Sequence, residues 1–275
     1  MVRTFGLPDS VDGTEADVRL ARALVDAWRA DGAFGIALNR WQVRRLEDAF
    51  EVSGRFFAMP TELKARCVSD LTYSGYLPGA GGEMFLACPD VPADDFRVRS
   101  QWACHGPVPW PGVEYRRTMR SLLSEFGQVG DTVLRLVALG LDLPDTDWLT
   151  EDGWHHLQAR NGEPPCPDYG LLAVTAYDRK TVVVSPGEIM RFLTDGQLGS
   201  APRSLPGHTI VYCHEPSFDS GIRPFVESPA FVHYGTHFTR AYMRTYPERE
   251  VTRRIRAEGR LLVLAGLTQR ASVGA

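Results

Sequence analysis

The stretch PPCPDYGLLAV (residues 164–174) sets Cys166 two residues before Asp168, at the start of an apolar run. A thiolate and a carboxylate are both ligands for transition metals, so this pair could belong to a metal site. It could equally be what remains of such a site after another ligand was lost. The pair by itself leaves both interpretations open.

Histidine supplies the other common ligand for transition metals. The chain has seven: His105, His155, His156, His208, His214, His233 and His237. His155 and His156 are adjacent, so on a strand they face opposite sides and cannot bind one ion together. His233 and His237 are four residues apart, as helical metal pairs are, but the surrounding VHYGTHF contains a glycine and predicts an extended turn. We expect structural roles for all four.

Motifs add no further support for a metal or phosphate site. His208 and His214 flank the apolar stretch TIVYC and are predicted to lie at the ends of a strand. No phosphate-binding loop, G-x-S-x-G or H-E-x-x-H motif occurs. The five cysteines lack C-x-x-C spacing, which argues against a disulfide framework and against a structural zinc site.

Composition is that of an ordinary globular protein. With 275 residues, 44% hydrophobic residues and a formal net charge of -4, the chain is expected to form one domain over residues 1–275. The acidic balance argues against nucleic acid as a partner. No signal-peptide-like or membrane-spanning apolar run occurs, so we expect a cytoplasmic protein without a membrane partner. The oligomeric state is left open.

Along the chain, the first predicted secondary-structure elements that position these residues are helices. Periodic apolar residues predict a helix over residues 14–31, with Thr14 as its N-cap and Gly32 as its end, and then a short strand near residues 34–38. A second helix ends at Pro60. The glycine- and proline-rich part that follows, including LPGAGGE (residues 77–83), predicts loops.

A long supporting helix is predicted over residues 115–140. After Trp154 the pattern changes to short apolar runs separated by Gly, Pro and Asp, which is typical of a β-sandwich or jelly roll. The order of helices first and strands afterwards therefore predicts an α+β fold.

Several long segments resemble one known family. They are CVSDLTYSGY (67–76), CHGPVPWP (104–111), DGWHH (152–156), PDYGLL (167–172), SPGEIMRFLTDGQLGSAPR (185–203), CHEPSFD (213–219) and HYGTHFTRAYMRTYPER (233–249). They resemble ethylene-forming enzymes and the wider isopenicillin N synthase-like family of Fe(II)- and 2-oxoglutarate-dependent oxygenases. The resemblance implies a double-stranded β-helix (jelly roll) core with an N-terminal helical section.

In that family, the resemblance implies that iron is held by an H-x-D pair and a distant histidine. Here Cys166 stands at the first histidine, Asp168 at the aspartate and Arg203 at the distant histidine. The family's cosubstrate arginine falls on Gly207, with His208 beside it. A guanidinium repels a divalent cation, so we expect Arg203 to occupy the place of the metal and to pair with Asp168.

The expected substrate contacts also come from the resemblance. Tyr169 and Arg244 match positions near the amino-acid substrate of ethylene-forming enzymes, and Gln158 aligns with an additional arginine that these enzymes carry just after their W-H-H segment. We assign Cys213 to the same set of expected substrate-binding residues. We expect these residues to bind a small molecule that carries a carboxylate.

The resulting hypothesis is a biosynthetic enzyme that no longer uses iron or 2-oxoglutarate and catalyses a non-oxidative reaction, such as an isomerisation, cyclisation, elimination or hydrolysis. Asp168, perturbed by Arg203, would act as acid or base, with Cys166, Tyr169 or His208 as proton partners. No cofactor is expected in this case. The alternatives are an Fe(II)/2-oxoglutarate-type oxidoreductase with non-standard ligands and a non-catalytic metabolite-binding protein.

Overall fold

The computed structural model describes residues 2–143, 146–167, 169–178, 180–199 and 207–273. Two of the predicted site residues, Asp168 and Arg203, lie outside these ranges. The predicted ion pair between them therefore stays a prediction.

Helices and strands occur in separate runs along much of the chain. The strands are β1 Thr4–Phe5, β2 Phe34–Ala37, β3 Gly75–Gly79, β4 Gly82–Ala87, β5 His156–Gly162, β6 Leu172–Ala176, β7 Thr181–Pro186, β8 His208–His214, β9 Gly221–Ile222 and β10 Val232–His233. The helices are α1 Glu15–Asp31, α2 Arg40–Phe57, α3 Thr61–Lys64, α4 Phe96–Arg99, α5 Val113–Gly140, α6 Asp147–Thr150, α7 Glu188–Leu193, α8 Tyr234–Thr245, α9 Glu250–Ala257 and α10 Arg260–Val273. This composition confirms the predicted α+β class.

Helix α1 begins and ends where the sequence predicts. The Thr14 hydroxyl accepts a hydrogen bond from the backbone N–H of Asp17, and the Asp17 carboxylate accepts one from the backbone N–H of Thr14. This reciprocal pair is a capping box. Gly32 ends the helix at φ 66°, a left-handed conformation that glycine adopts without steric cost.

A large, mostly antiparallel sheet forms the centre of the described structure. Its strand order is β1-β2-β7-β6-β8-β5-β4-β3, and β1 pairs with β2 in parallel. Strands β9 and β10 form a separate two-stranded sheet. Helices α1 and α5 cover one face of the large sheet, where Trp28 donates a hydrogen bond to the Val184 carbonyl and Phe126 packs against Tyr212.

The region predicted as loops contains a hairpin instead. Residues of LPGAGGE form the ends of β3 and β4, and Leu77 pairs with Met84. Strand β4 then pairs with β5. The prediction was wrong because this hairpin depends on a partner strand far along the chain, which the local glycine content does not reveal.

The predicted extended turn around His233 and His237 is also wrong. His233 is the N-cap of helix α8, and His237 lies inside this helix. Gly235 is required here because a Cβ atom at this position would lie 2.4 Å from the Phe218 carbonyl oxygen. The glycine permits close packing and does not interrupt the helix. Within the described ranges, no helix combines the length and the apolar character that a membrane span needs.

Candidate functional site

Strand register places several polar side chains on the sheet face opposite to α1 and α5. His156 pairs with Cys213, Gln158 with Val211 and Arg160 with Thr209. Side chains of paired residues share a face, and successive residues alternate between faces. His156, Gln158, Arg160 and Cys213 therefore lie on one face, which we call the pocket face.

A loop and a helix complete the pocket face. Cys166 and Tyr169 come from the connection between β5 and β6, and Tyr242 comes from α8. Phe238, also from α8, packs edge-on against both Tyr169 and His156. The side chains of Tyr169, Tyr242 and Phe238 are buried, so this part of the pocket face is shielded from water.

The hydroxyl of Tyr169 is the centre of a hydrogen-bond network whose proton positions can be deduced. His156 Nδ1 lies 2.9 Å from the Trp154 carbonyl oxygen, so the nitrogen must donate there. Burial lowers the pKa of His156 to about 4, so the ring is neutral near pH 7 and Nε2 carries a lone pair. Tyr169 donates to this lone pair at 2.6 Å and accepts hydrogen bonds from Gln158 and Tyr242, both at 2.9 Å.

Three potential metal ligands meet beside this network. The ligand atoms of His156, Cys213 and Glu215 all lie within 4.8 Å of one another, and the three residues are buried. Glu215 accepts hydrogen bonds from the Leu171 backbone N–H at 3.1 Å and from the Tyr234 hydroxyl at 3.0 Å. We refer to His156, Cys213 and Glu215 as the donor trio.

The chemistry of the donor trio fits a transition metal. Metal-binding histidines usually donate their other ring N–H to a carbonyl or carboxylate, as His156 Nδ1 does to Trp154. Burial raises the pKa of the Cys213 thiol well above its usual range, so this ligand would release its proton only on metal binding. A neutral imidazole, a thiolate and a carboxylate together suit iron or zinc.

Arg160 lies next to the donor trio and has no acidic partner in the part of the chain that the structure describes. Its partly buried guanidinium donates to the Gln158 side-chain oxygen and, at 2.9 Å, to the Cys166 sulfur. Burial opposes its charge, but the nearby thiols and phenols raise the pKa of Arg160 above its usual value. A cation in such a position favours an anionic ligand, and a guanidinium can bind a carboxylate through two parallel hydrogen bonds.

The structure brings together four of the residues that the sequence singled out. Cys166, Tyr169, Gln158 and Cys213 all contribute to the pocket face, and Gln158 Nε2 lies 3.6 Å from the Cys213 sulfur. Their catalytic and substrate-binding roles stay predictions.

Two other predicted residues lie elsewhere. The side chain of His208 is on the opposite face, because β8 alternates; its Nε2 lies 2.8 Å from the Ser53 hydroxyl, and its ring packs against Phe50 and Phe57. His208 therefore faces away from Cys166 and Tyr169, with which the sequence prediction had grouped it. Arg244 is exposed in the last turn of α8.

Sequence reasoning did not single out His156, Glu215 and Arg160 as candidate site residues. The signal for His156 and Arg160 was the period of two in WHHLQAR, where residues 156, 158 and 160 must share one face of a strand. Their partners Cys213 and Glu215 could not be assigned without the pairing of β5 with β8.

A curated relative covers almost the whole chain. The chain is 36% identical over 338 residues to the 2-oxoglutarate-dependent ethylene/succinate-forming enzyme of Ralstonia nicotianae, an alignment that includes 97% of this chain and 98% of the relative. No family model matches the sequence.

Solved structures share the fold at low sequence identity. A 2OG-Fe(II) oxygenase family protein from Caulobacter crescentus matches with a TM-score of 0.71 and 16% identity, covering 89% of this chain and 100% of that one. The rice dioxygenase for auxin oxidation matches with a TM-score of 0.59 and 17% identity, covering 92% and 99% of the two chains. These matches confirm the predicted jelly-roll core.

Proposed function

Since the chain belongs to the family of 2-oxoglutarate-dependent oxygenases that includes the ethylene/succinate-forming enzyme, we propose that it is an oxidative enzyme that uses Fe(II) and 2-oxoglutarate. Its substrate is a small molecule. The observation that carries the proposal is the donor trio, which is buried on the same sheet face as Arg160.

This proposal corrects two expectations from the sequence. The hypothesis of a metal-independent, non-oxidative enzyme is wrong, because a relative that is 36% identical over nearly the whole chain is 2-oxoglutarate-dependent. The expected absence of cofactors is wrong for the same reason. Of the alternatives, the oxidoreductase with non-standard ligands is the one that the comparisons support.

The donor trio would hold the iron, with His156 Nε2, the Cys213 sulfur and a Glu215 oxygen as ligands. When bound, the iron supplies the redox chemistry of the oxidation. The hydrogen bond from His156 Nδ1 to the Trp154 carbonyl orients the imidazole for this role. Tyr169 donates to the same Nε2 lone pair that a metal would use, so this hydrogen bond would be given up in the metal-bound protein.

Arg160 would bind a carboxylate of 2-oxoglutarate. Gln158 and Cys166 contact its guanidinium and hold it on the pocket face. The side chains of Tyr169, Tyr242 and Phe238 exclude water, which strengthens the electrostatic attraction between the guanidinium and a bound carboxylate.

The test compares Cys213→Ser with Cys67→Ser, a buried cysteine outside the donor trio. Cobalt(II) is added to the metal-free protein, and its sulfur-to-metal absorption band is recorded; succinate formation from 2-oxoglutarate is then measured with Fe(II). We expect Cys213→Ser to lose the absorption band and to lower succinate formation by at least about 100-fold. Cys67→Ser should keep both.

Two results would contradict the proposal. One is an absorption band that survives in Cys213→Ser, because the sulfur ligand would then lie elsewhere. The other is a wild-type protein that binds metal but forms no succinate with any substrate tried, together with no binding of 2-oxoglutarate.

A further inference from the structure

A second candidate ligand site lies on the other face of the large sheet. Here a cavity of about 240 Å³ separates α5 from the start of β5. Its walls include Trp110, Met119, Arg120, Leu123, His155 and Leu157. Leu157 faces away from His156 and Gln158, so this cavity is separate from the pocket face.

His155 presents a hydrogen-bond donor at this cavity. Its Nδ1 accepts a hydrogen bond from the backbone N–H of Glu215 at 2.9 Å. A ring nitrogen that accepts a hydrogen bond carries no proton, so the single ring proton of His155 must be on Nε2. This N–H has no acceptor within the described ranges, and stacking on the His214 ring at 4.3 Å fixes its orientation.

Among the charged side chains around the cavity, one arginine has no ion-pair partner in the described structure. Asp90 is satisfied by the backbone N–H of Val108, by Trp110 Nε1 and by the Arg116 guanidinium, all within 3.0 Å. Arg120, in contrast, forms no ion pair with any described residue. The cavity thus combines apolar walls, one fixed N–H donor and, at its exposed rim, the guanidinium of Arg120.

We propose that this cavity binds a small organic carboxylate with an aromatic or aliphatic body. Arg120 binds the carboxylate, the Nε2–H of His155 donates to one of its oxygens, and the body packs against Trp110, Leu123 and Leu157. The volume corresponds to roughly eight water molecules of liquid, which suits a molecule of the size of phenylacetate. This site is independent of the proposed iron chemistry.

The test is calorimetric titration of the full-length, metal-free protein with phenylacetate, with 2-phenylethanol as the uncharged analogue. We expect saturable binding of phenylacetate and at least tenfold weaker binding of the alcohol. Arg120→Gln should weaken phenylacetate binding by about tenfold, because one ion pair is lost. Leu123→Trp should abolish it by filling the cavity, provided that the melting temperature shows a folded protein.

Two further variants identify the site. Arg117→Gln removes an exposed arginine of the same helix that does not line this cavity, and it should leave the affinity unchanged. Arg160→Met should also leave it unchanged, because Arg160 lies on the pocket face. The proposal is overturned by equal affinities for the acid and the alcohol, by no saturable binding up to about 10 mM, or by a loss in Arg160→Met without a loss in Arg120→Gln.

Discussion

The two faces of the large sheet are built from the same strands but carry side chains of different chemistry. On the pocket face, β5 and β8 contribute His156, Gln158, Arg160 and Cys213. On the other face, the intervening residues Leu157, Ala159, Ile210 and Tyr212 are buried among apolar side chains. The pocket face therefore carries a cluster of polar side chains, whereas these positions of the other face are filled by apolar packing.

The adjacent histidines His155 and His156 illustrate this difference. Both rings are neutral because burial lowers their pKa values to about 4. The lone pair of His156 faces the Tyr169 hydroxyl, close to Cys213 and Glu215, while His155 stacks on His214 beneath α5. One step along an extended backbone therefore separates a potential metal ligand from a packed side chain.

The largest expected effect concerns the buried neutral histidines, which occur on both faces of the sheet. His105, His155 and His156 each have a pKa lowered by burial to about 4, against about 6.5 in an unfolded chain. Below pH 6.5 the unfolded state binds more protons, so the free energy of unfolding should fall as the pH drops toward 4, by roughly 3 kcal/mol for each histidine. Urea unfolding at several pH values measures this slope, and His105→Gln should make it shallower. A free energy of unfolding that does not change between pH 6.5 and 4 would show that these rings are not buried in their neutral form.

Arg160→Met removes a cation of the pocket face that has no acidic partner among the described residues. We expect the dissociation constant for 2-oxoglutarate to rise by about 100-fold, because a charge-assisted bidentate interaction is lost. The melting temperature should stay the same or rise, since no acidic partner in the described structure is left behind. Calorimetry and thermal melting measure the two quantities, with Arg117→Met as the exposed control. Unchanged affinity would remove Arg160 from the site.

Gly130→Ala tests packing on the other face. A Cβ atom at residue 130 of α5 would lie 2.4 Å from Nδ1 of the buried His214 ring. We expect a loss of about 2 kcal/mol in the free energy of unfolding, with 2-oxoglutarate affinity unchanged. Gly127→Ala is the matched control, because its Cβ atom would meet only the Tyr212 hydroxyl at 3.7 Å; it should be neutral or stabilising by up to about 1 kcal/mol. Equal effects of the two substitutions in chemical denaturation would contradict the close contact.

Tyr169→Phe should have the smallest effect and the most specific one. Without the hydroxyl, the metal-free protein should lose about 1 kcal/mol, because Gln158, Tyr242 and His156 lose a shared partner. Cobalt(II) should bind several-fold more tightly, because the His156 lone pair is released. Tyr73→Phe removes a hydroxyl that bonds to Thr252, outside the donor trio, and should not change metal affinity. Weaker metal binding in Tyr169→Phe would indicate that the phenol is itself a ligand.

Local features of the fold were predictable and non-local ones were not. The predicted bounds of α1 and α5 agree with the structure within about two residues, because capping groups and helical periodicity act over a few neighbouring residues. The β3–β4 hairpin and the start of α8 were missed. Both contain glycines that are needed for close contact with distant segments, and local rules interpret such glycines as breaks.

The candidate site was predicted only in part for the same reason. The resemblance to the oxygenase family singled out Cys166, Tyr169, Gln158 and Cys213, which the structure places together on the pocket face. It did not identify Arg160 or Glu215, since the family positions of the ligands point to Asp168 and Arg203, which lie outside the described ranges. It also suggested His208, which the strand alternation turns toward Ser53.

By itself, the sequence determined the class of elements, their order and the alternation of side chains along each strand, because these depend on interactions between close neighbours in the chain. Only the tertiary structure decided that β5 pairs with β8, which brings His156 to Cys213 and Glu215 and leaves Arg160 without an acidic partner among the described residues. Strand pairing is set by the burial of both faces of the sheet at once, so it depends on residues from the whole sheet.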